Sequence, residues 1–296
     1  MPDDLAGIHF MMPTPFDDHG RVDEESIPPL VELAARAGCR GVVCLGVMGE
    51  FTRLSDAERT LVLRRTVEAA AGRLTVTVGT TSPGTDLAIL RSREAQDAGA
   101  TAVMVSPPPL PRPNLDAVFA YYQSLDRHVA LPIVVQDYPR EIGVFLPAPF
   151  IARLHGELAR CHYLKLEDAP TPPKVGAVRD LTGGRMGVFG GLGGAYLLEE
   201  LSRGACGTMT GFAYPEILVR VYQHWVKGER EQARGVFYRY LPLIRYEAQE
   251  GIGLALRKEA LKRRGVIRSA RVRHPGAGVD DATRRELYET IDAMEL

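Results

Sequence analysis

The 296-residue sequence contains only four cysteines, Cys39, Cys44, Cys161 and Cys206, and no two of them form a CxxC pair. Zinc ribbons and disulfide frameworks need clustered cysteines, so both are disfavoured and the cytosol is the default compartment. Histidine is sparse too. The seven present show no HxxH or HExxH spacing, which leaves metal-assisted hydrolysis without support, and no metal site is expected. No apolar run approaches the ~18 residues of a membrane-spanning helix. The start, Met1-Pro2-Asp3-Asp4-Leu5, lacks the basic opening and apolar stretch of a secretory signal. An excess of one charge is missing as well. Lys+Arg is 36 against Asp+Glu 37, a net charge of −1, so no global field draws the chain to nucleic acid or an anionic membrane. There is no Ser/Gly-rich linker and no low-complexity run. What remains is an ordinary globular balance, 45% hydrophobic and 25% charged, which excludes disorder.

Short β-branched runs alternate with longer helical patterns. The expected strands are Ile8–Met12, Gly41–Leu45, Leu74–Val78, Ala102–Ser106, Pro132–Gln136, Cys161–Leu166, Gly187–Gly190 and Cys206–Thr210. Several, such as Val42-Val43-Cys44-Leu45 and Ile133-Val134-Val135, are continuously apolar, as strands buried on both faces of a parallel sheet are. Helical patterns fill the gaps. Ser26–Ala37 ends at Gly38, a Ser55…Glu58 capping box opens Ala57–Ala71 with Gly72 closing it, and Asp86–Ala98 ends at Gly99. Eight such repeats predict an α/β fold, a closed (β/α)8 TIM barrel over residues 1–224. An open doubly wound sheet is the alternative, but Met11-Met12-Pro13-Thr14-Pro15 is no phosphate-binding glycine fingerprint. From residue 225 to 296 the strand signal disappears and Glu229–Ala248, Ile252–Arg264 and Asp280–Met294 predict a small C-terminal helical appendage.

In a barrel, chemistry sits at the C-terminal strand ends. Lys165, within His162-Tyr163-Leu164-Lys165-Leu166-Glu167, is the most informative residue there. A lysine turned into a barrel loses hydration of its ammonium, which favours the neutral amine, and a neutral amine can add to a carbonyl to form a Schiff base. Period-two geometry places Tyr163, Lys165 and Glu167 on one face, so Glu167 either orients the amine or forms a plain structural salt bridge with it. The loop Gly46-Val47-Met48-Gly49-Glu50 offers close backbone approach. Val47 and Met48 bring no hydroxyl, so any anion they hold is held by main-chain amides; the other reading is a turn without a ligand. Gly190-Gly191 after strand seven is either a close substrate contact or a turn. Pro107 to Pro113 predicts a rigid pocket wall. The basic run Arg257-Lys258…Lys262-Arg263-Arg264…Arg271-Val272-Arg273-His274 predicts a solvated face rather than a nucleic-acid site, and Trp225, Phe237, Tyr238 and Tyr240 predict helix packing.

Taken together, the GxxGE loop after strand two, the x-x-x-P segment Gln136-Asp137-Tyr138-Pro139 after strand five, the strand-six lysine, the GG turn after strand seven and the opening Thr14-Pro15-Phe16…Gly20-Arg21-Val22-Asp23 resemble the dihydrodipicolinate synthase / N-acetylneuraminate lyase family. The resemblance runs over nearly the whole chain. It implies a class I aldolase or dehydratase on a (β/α)8 barrel, with no metal or organic cofactor, often a homotetramer or dimer. Lys165 becomes the nucleophile toward a 2-oxo acid such as pyruvate, and Gly46–Glu50 the carboxylate cradle. Departures are specific. Val47 and Met48 replace the family's hydroxyl residues, and Gln136 stands where the family carries its catalytic tyrosine. Tyr138, two residues on, either supplies the hydroxyl from a displaced position or is a wall residue. Pro107-Pro108-Pro109 replaces the synthases' aromatic pair, and Glu141, beside Arg140, replaces their arginine.

The sequence therefore leads to a Schiff-base lyase on a 2-oxo acid, either a pyruvate-type aldolase or a 2-oxo-3-deoxy acid dehydratase, and not a true dihydrodipicolinate synthase. Lys165 and Tyr138 are the expected catalytic residues. Val47, Met48, Gly190, Gln136 and Glu167 are the expected binding residues, and the loops at Pro107–Pro113, Arg140-Glu141 and Phe212–Tyr214 would meet the substrate tail. Two alternatives stand beside it, a phosphate-binding barrel isomerase or synthase using Gly190–Gly194, and a non-catalytic 2-oxo acid sensor.

Overall fold

The computed structural model describes residues 5–110, 112 and 114–296. The N-terminal tetrapeptide, Pro111 and Pro113 lie outside it. Eight parallel strands close into a barrel in sequence order: β1 (Gly7–Met11), β2 (Gly41–Cys44), β3 (Thr75–Gly79), β4 (Ala102–Val105), β5 (Ile133–Asp137), β6 (Tyr163–Leu166), β7 (Gly187–Gly190) and β8 (Gly207–Thr210). Each matches an expected strand to within two residues at either end. The helices outside are α1 (Ile27–Ala37), α2 (Asp56–Ala70), α3 (Thr85–Asp97), α4 (Leu115–His128), a single turn α5 (Pro139–Ile142), α6 (Ala148–Glu157), α7 (Thr171–Leu181), α8 (Leu197–Ser202) and α9 (Pro215–Val226). Three more follow, α10 (Arg230–Glu247), α11 (Gly253–Arg263) and α12 (Asp281–Ala293). Among the described residues no helix is long and apolar enough to cross a membrane.

Two cores hold this together, and strand alternation assigns residues to them. One face of each strand joins the helices in an outer shell, as with Phe10, Val42, Val103, Val135 and Leu164. The other face fills the barrel, where Met11, Val43, Met104, Val134, Tyr163, Phe189 and Met209 form a separate cluster. A filled barrel is expected, since layers of inward side chains close it. The layer accommodates Tyr163 because β7 offers a glycine beside it. A Cβ on Gly187 would sit 2.5 Å from the Tyr163 ring. The register aligns Gln136 with Lys165 and Lys165 with Phe189, so Gln136 and Lys165 face inward side by side, each two residues beyond an inward residue of its own strand, Val134 and Tyr163.

The capping box is present. Ser55 Oγ accepts from the Glu58 amide, and the Ser55 amide donates to Glu58 Oε2 at 2.9 Å. The helix closes one residue before the expected glycine, at Ala71, whose φ of 47° carries the left-handed turn. The expected boundary between residues 224 and 225 falls inside α9, which runs on to Val226.

The C-terminal basic run is not a solvated face along its whole length. Arg257 and Lys258 turn inward from α11, with side chains 11% and 0% exposed. Both meet acids that are themselves buried, Glu247 and Glu50, which is what permits burial of the charge. Lys262 and Arg263, further along the helix, are exposed as expected.

Candidate active site

A cavity of about 630 Å³ opens at the C-terminal end of the strands. Met11, Val47, Met48, Lys165, Met209 and Thr210 line its floor and near wall. Tyr138, Arg140, Glu141 and Glu167 come from the β5 and β6 ends, and α10 and α11 close it with Arg245 and Arg257. The C-terminal helical appendage thus contributes side chains to the site as well.

Lys165 is held by the strand at the cavity floor, 2% exposed. Its Nζ lies 2.8 Å from Glu167 Oε2. The same oxygen accepts from Gln136 Nε2 at 2.8 Å, and Gln136 Oε1 accepts from Ser106 Oγ at 3.1 Å. A chain of four side chains from β4, β5 and β6 therefore fixes the carboxylate against the amine. Period-two alternation on β6 brought Lys165 and Glu167 to one face, as expected. Gln136, in the position where the resembled family carries tyrosine, serves here to orient Glu167 and is not among the residues lining the cavity.

Tyr138 does reach the cavity, together with Lys165 and Glu167. It follows β5 and immediately precedes the turn of α5. Burial raises its pKa, and the carboxylates of Glu167 and Glu141 raise it further against the opposing Arg140 and Arg257. The phenol is thereby kept in its protonated, hydrogen-donating form.

The Gly46–Glu50 loop is braced from three sides. Thr14 Oγ1 donates to the Gly49 carbonyl at 2.7 Å. The turn's own hydrogen bonds use the amides of Gly49 and Glu50, leaving those of Val47 and Met48 outside it. Glu50, at a φ of 54°, is buried and takes Lys258 Nζ at 2.5 Å, Arg53 Nη1 at 2.9 Å and the Arg273 amide at 2.9 Å. Two of those three come from the C-terminal region.

Other expected contacts fall elsewhere. Gly190 is not among the cavity-lining residues. A Cβ there would lie 1.7 Å from Glu200 Oε2 on the outer side, whereas one on Gly191 would lie 2.4 Å from Glu167 Cγ. Alternation by one residue decides this, and Gly191 is the glycine that Glu167 packs against. The described part of the proline stretch does not wall the cavity. Pro107 and Pro108 are buried, and none of residues 107–110 or Arg112 lines it. Phe212 and Tyr214 are also absent from the lining; Tyr214 packs beneath Arg264 and Phe212 beside Tyr214. Arg140 and Glu141 do line it. Arg257, expected on a solvated basic face, lines the cavity instead, and Thr210 lines it from the end of β8. Thr210 Oγ1 is buried at the end of β8, lines the cavity and has no hydrogen-bond partner among the described residues.

Behind the β7 turn, Glu200 is fully buried. Thr171 Oγ1 donates to its Oε1 at 2.6 Å, and burial pushes its pKa up to about 7. The folded protein holds this proton to near pH 7, whereas the unfolded chain releases it near 4.5. The folded state thus binds more protons across that window, and stability from this group falls as pH rises through it. Glu200→Gln is expected to flatten that slope and to raise stability at pH 8 by about 1–3 kcal/mol. Urea unfolding at pH 5.5 and pH 8 checks it; an equal shift at both values would contradict a titrating Glu200.

Comparisons with known proteins agree with this fold. The sequence matches the dihydrodipicolinate synthetase family over residues 4–294. It is 34% identical over 288 residues to an L-2-keto-3-deoxyarabonate dehydratase of Azospirillum brasilense, covering 95% of this chain and 92% of that one. It is 31% identical over 307 residues to a 4-hydroxy-tetrahydrodipicolinate synthase of Sorangium cellulosum, covering 98% and 96%. Among solved structures, a dihydrodipicolinate synthase from Rhodopseudomonas palustris superposes with a TM-score of 0.93 at 35% identity, over 99% of both chains. The chain belongs to the dihydrodipicolinate synthetase family and is a lyase of its class I aldolase and dehydratase type.

Proposed function

We propose that the protein is a 2-oxo-3-deoxy sugar acid dehydratase working through a Schiff base on Lys165. One observation carries this: an amine sheltered at the floor of the cavity, 2.8 Å from a carboxylate that Gln136 holds in place. Addition needs the neutral amine, and Glu167 is positioned to take its proton. The Lys165 nitrogen adds to the C2 ketone, and Glu167 returns the proton as the carbinolamine loses water to give an iminium. Val47 and Met48 amides hold the substrate carboxylate. Glu167 then removes a C3 proton, and the resulting enamine expels the C4 hydroxyl, which leaves as water with a proton from Tyr138. Positioned acid–base groups of this kind contribute typically ~10²–10⁴-fold. Hydrolysis of the imine consumes the water released in its formation, so the balance is loss of one water.

Dehydration is favoured over condensation by the site's own chemistry. Gln136 cannot relay a proton as the family's tyrosine does, whereas a protonated Tyr138 phenol and a basic Glu167 form the acid and base that elimination needs. The dehydratase of Azospirillum brasilense, 34% identical, supports the same choice. Assembly as a homo-oligomer, the arrangement the family resemblance implies, belongs to this reading, and light scattering checks it.

The test is product analysis. Purified protein is given 2-oxo-3-deoxy sugar acids and 4-hydroxy-2-oxo acids, and products are separated by mass spectrometry. A product lighter than substrate by one water is expected. Release of pyruvate and an aldehyde would make the protein an aldolase instead.

A further inference from the structure

Arg257 reaches the cavity from α11, the second helix beyond the barrel, and stands beside the reacting groups. Glu167 and Tyr138 both lie close enough to influence its charge. Its head is wedged between two loops. Nη1 meets Met48 Sδ at 3.1 Å, and Nη2 would lie 2.9 Å from a Cβ on Gly193 in the turn after β7. Its ionic partner is Glu247, with Oε2 3.8 Å from Nε. That separation balances charge but exceeds a hydrogen bond. Nε has no hydrogen-bond partner among the described residues, and the thioether that meets Nη1 is a weak acceptor. A guanidinium carries five donors, and leaving such donors buried and unpaired is costly. The charge at Arg257 is answered, while its Nε–H has no acceptor among the described residues and its Nη1 only a weak one.

We propose that Arg257 is a specificity residue that binds the hydroxylated tail of the 2-oxo acid substrate, beyond C4. This deepens the Schiff-base lyase reading above and rests on it. Neutral hydroxyl oxygens supply the acceptors that Arg257 lacks. A tail carboxylate would instead bring another anion next to Glu247 and Glu167. Thr210 Oγ1, unpartnered in the same cavity, is a further group for a hydroxyl to meet. The consequence is that a C-terminal helix, rather than a barrel loop, selects for the sugar-acid tail.

The experiment measures competition for Lys165. Wild type and Arg257→Met are labelled with pyruvate and borohydride at pH 8, above the value of about 7 to which burial raises Glu247. The competitor concentration that halves labelling is read for 2-oxo-3-deoxypentonate, for 4-hydroxy-2-oxobutanoate, which lacks the tail, and for 2-oxoglutarate, whose tail is a carboxylate. Losing hydrogen bonds to a charged group predicts a rise of about 10–100-fold for the pentonate. The rise for the butanoate is expected to be at least tenfold smaller, and Arg257→Lys is expected to recover part of the loss. Equal rises for pentonate and butanoate would assign Arg257 a structural role and overturn the proposal. A larger rise for 2-oxoglutarate would overturn it in favour of an anion site. If wild type forms no adduct with any 2-oxo acid, the Schiff-base reading itself fails. A labelled wild type with a flat competitor pattern fails Arg257 alone.

Discussion

Lys165→Ala is expected to lower kcat/KM on the preferred 2-oxo acid by on the order of 10⁴-fold or more, and to abolish the borohydride-stable adduct entirely. The effect is large because, among the described residues lining the cavity, no other amine can take over. The imine is the electron sink for the whole sequence, and without it the C3 proton is not acidic enough for Glu167 to remove. Arg140, Arg245 and Arg257 also line the cavity, but a guanidinium stays protonated and does not add to a ketone. Glu167→Gln offers the complementary measurement. It keeps the shape of the network with Gln136 but cannot accept a proton from Lys165, so imine formation and elimination both slow. The adduct is expected to form slowly with Glu167→Gln and not at all with Lys165→Ala. Wild-type turnover in Lys165→Ala, or an adduct mapped to another residue, would remove the mechanism.

The barrel was legible because its signal is local. Strands such as Val103-Met104-Val105 are apolar on both faces, and only a sheet covered on both sides uses such runs. Lys165 stood out for the same reason, as a charge inside an apolar run, and period-two geometry located Glu167. Contacts between distant segments were not legible. Lys258 and Glu50 are 208 residues apart, so nothing near Lys258 in the chain distinguishes it from its exposed neighbour Lys262. A basic run is ordinarily solvated, and only a buried acid brought in by another element changes that. Gly190 and Gly191 differ by one step, which in a strand exchanges the inner for the outer face. For Pro107 and Pro108, stiffness is local information but whether they border the cavity is not.

The Lys258–Glu50 pair carries the second large effect. Both side chains are fully buried, and Lys258 Nζ also donates to the Arg271 carbonyl at 2.8 Å and lies 4.5 Å from the centre of the Phe16 ring. Removing one member of a buried pair leaves an uncompensated charge, so Lys258→Met is expected to lower stability by about 3–5 kcal/mol. Glu50→Gln combined with Lys258→Met is expected to cost less than the sum of the single changes, because the stranded charge is gone in the double variant. Urea unfolding of the four proteins measures that coupling. The functional consequence follows from where Glu50 sits. It ends the loop whose Val47 and Met48 amides are proposed to hold the 2-oxo acid carboxylate, and it is held by α11 and Arg273 more than by its own loop. Lys258→Met is therefore expected to raise the pyruvate concentration needed for half-maximal labelling of Lys165 by about tenfold, as loss of one or two charge-assisted contacts would. A variant that unfolds more readily yet labels at the wild-type pyruvate concentration would restrict the C-terminal helices to stability and leave the carboxylate cradle to the barrel alone.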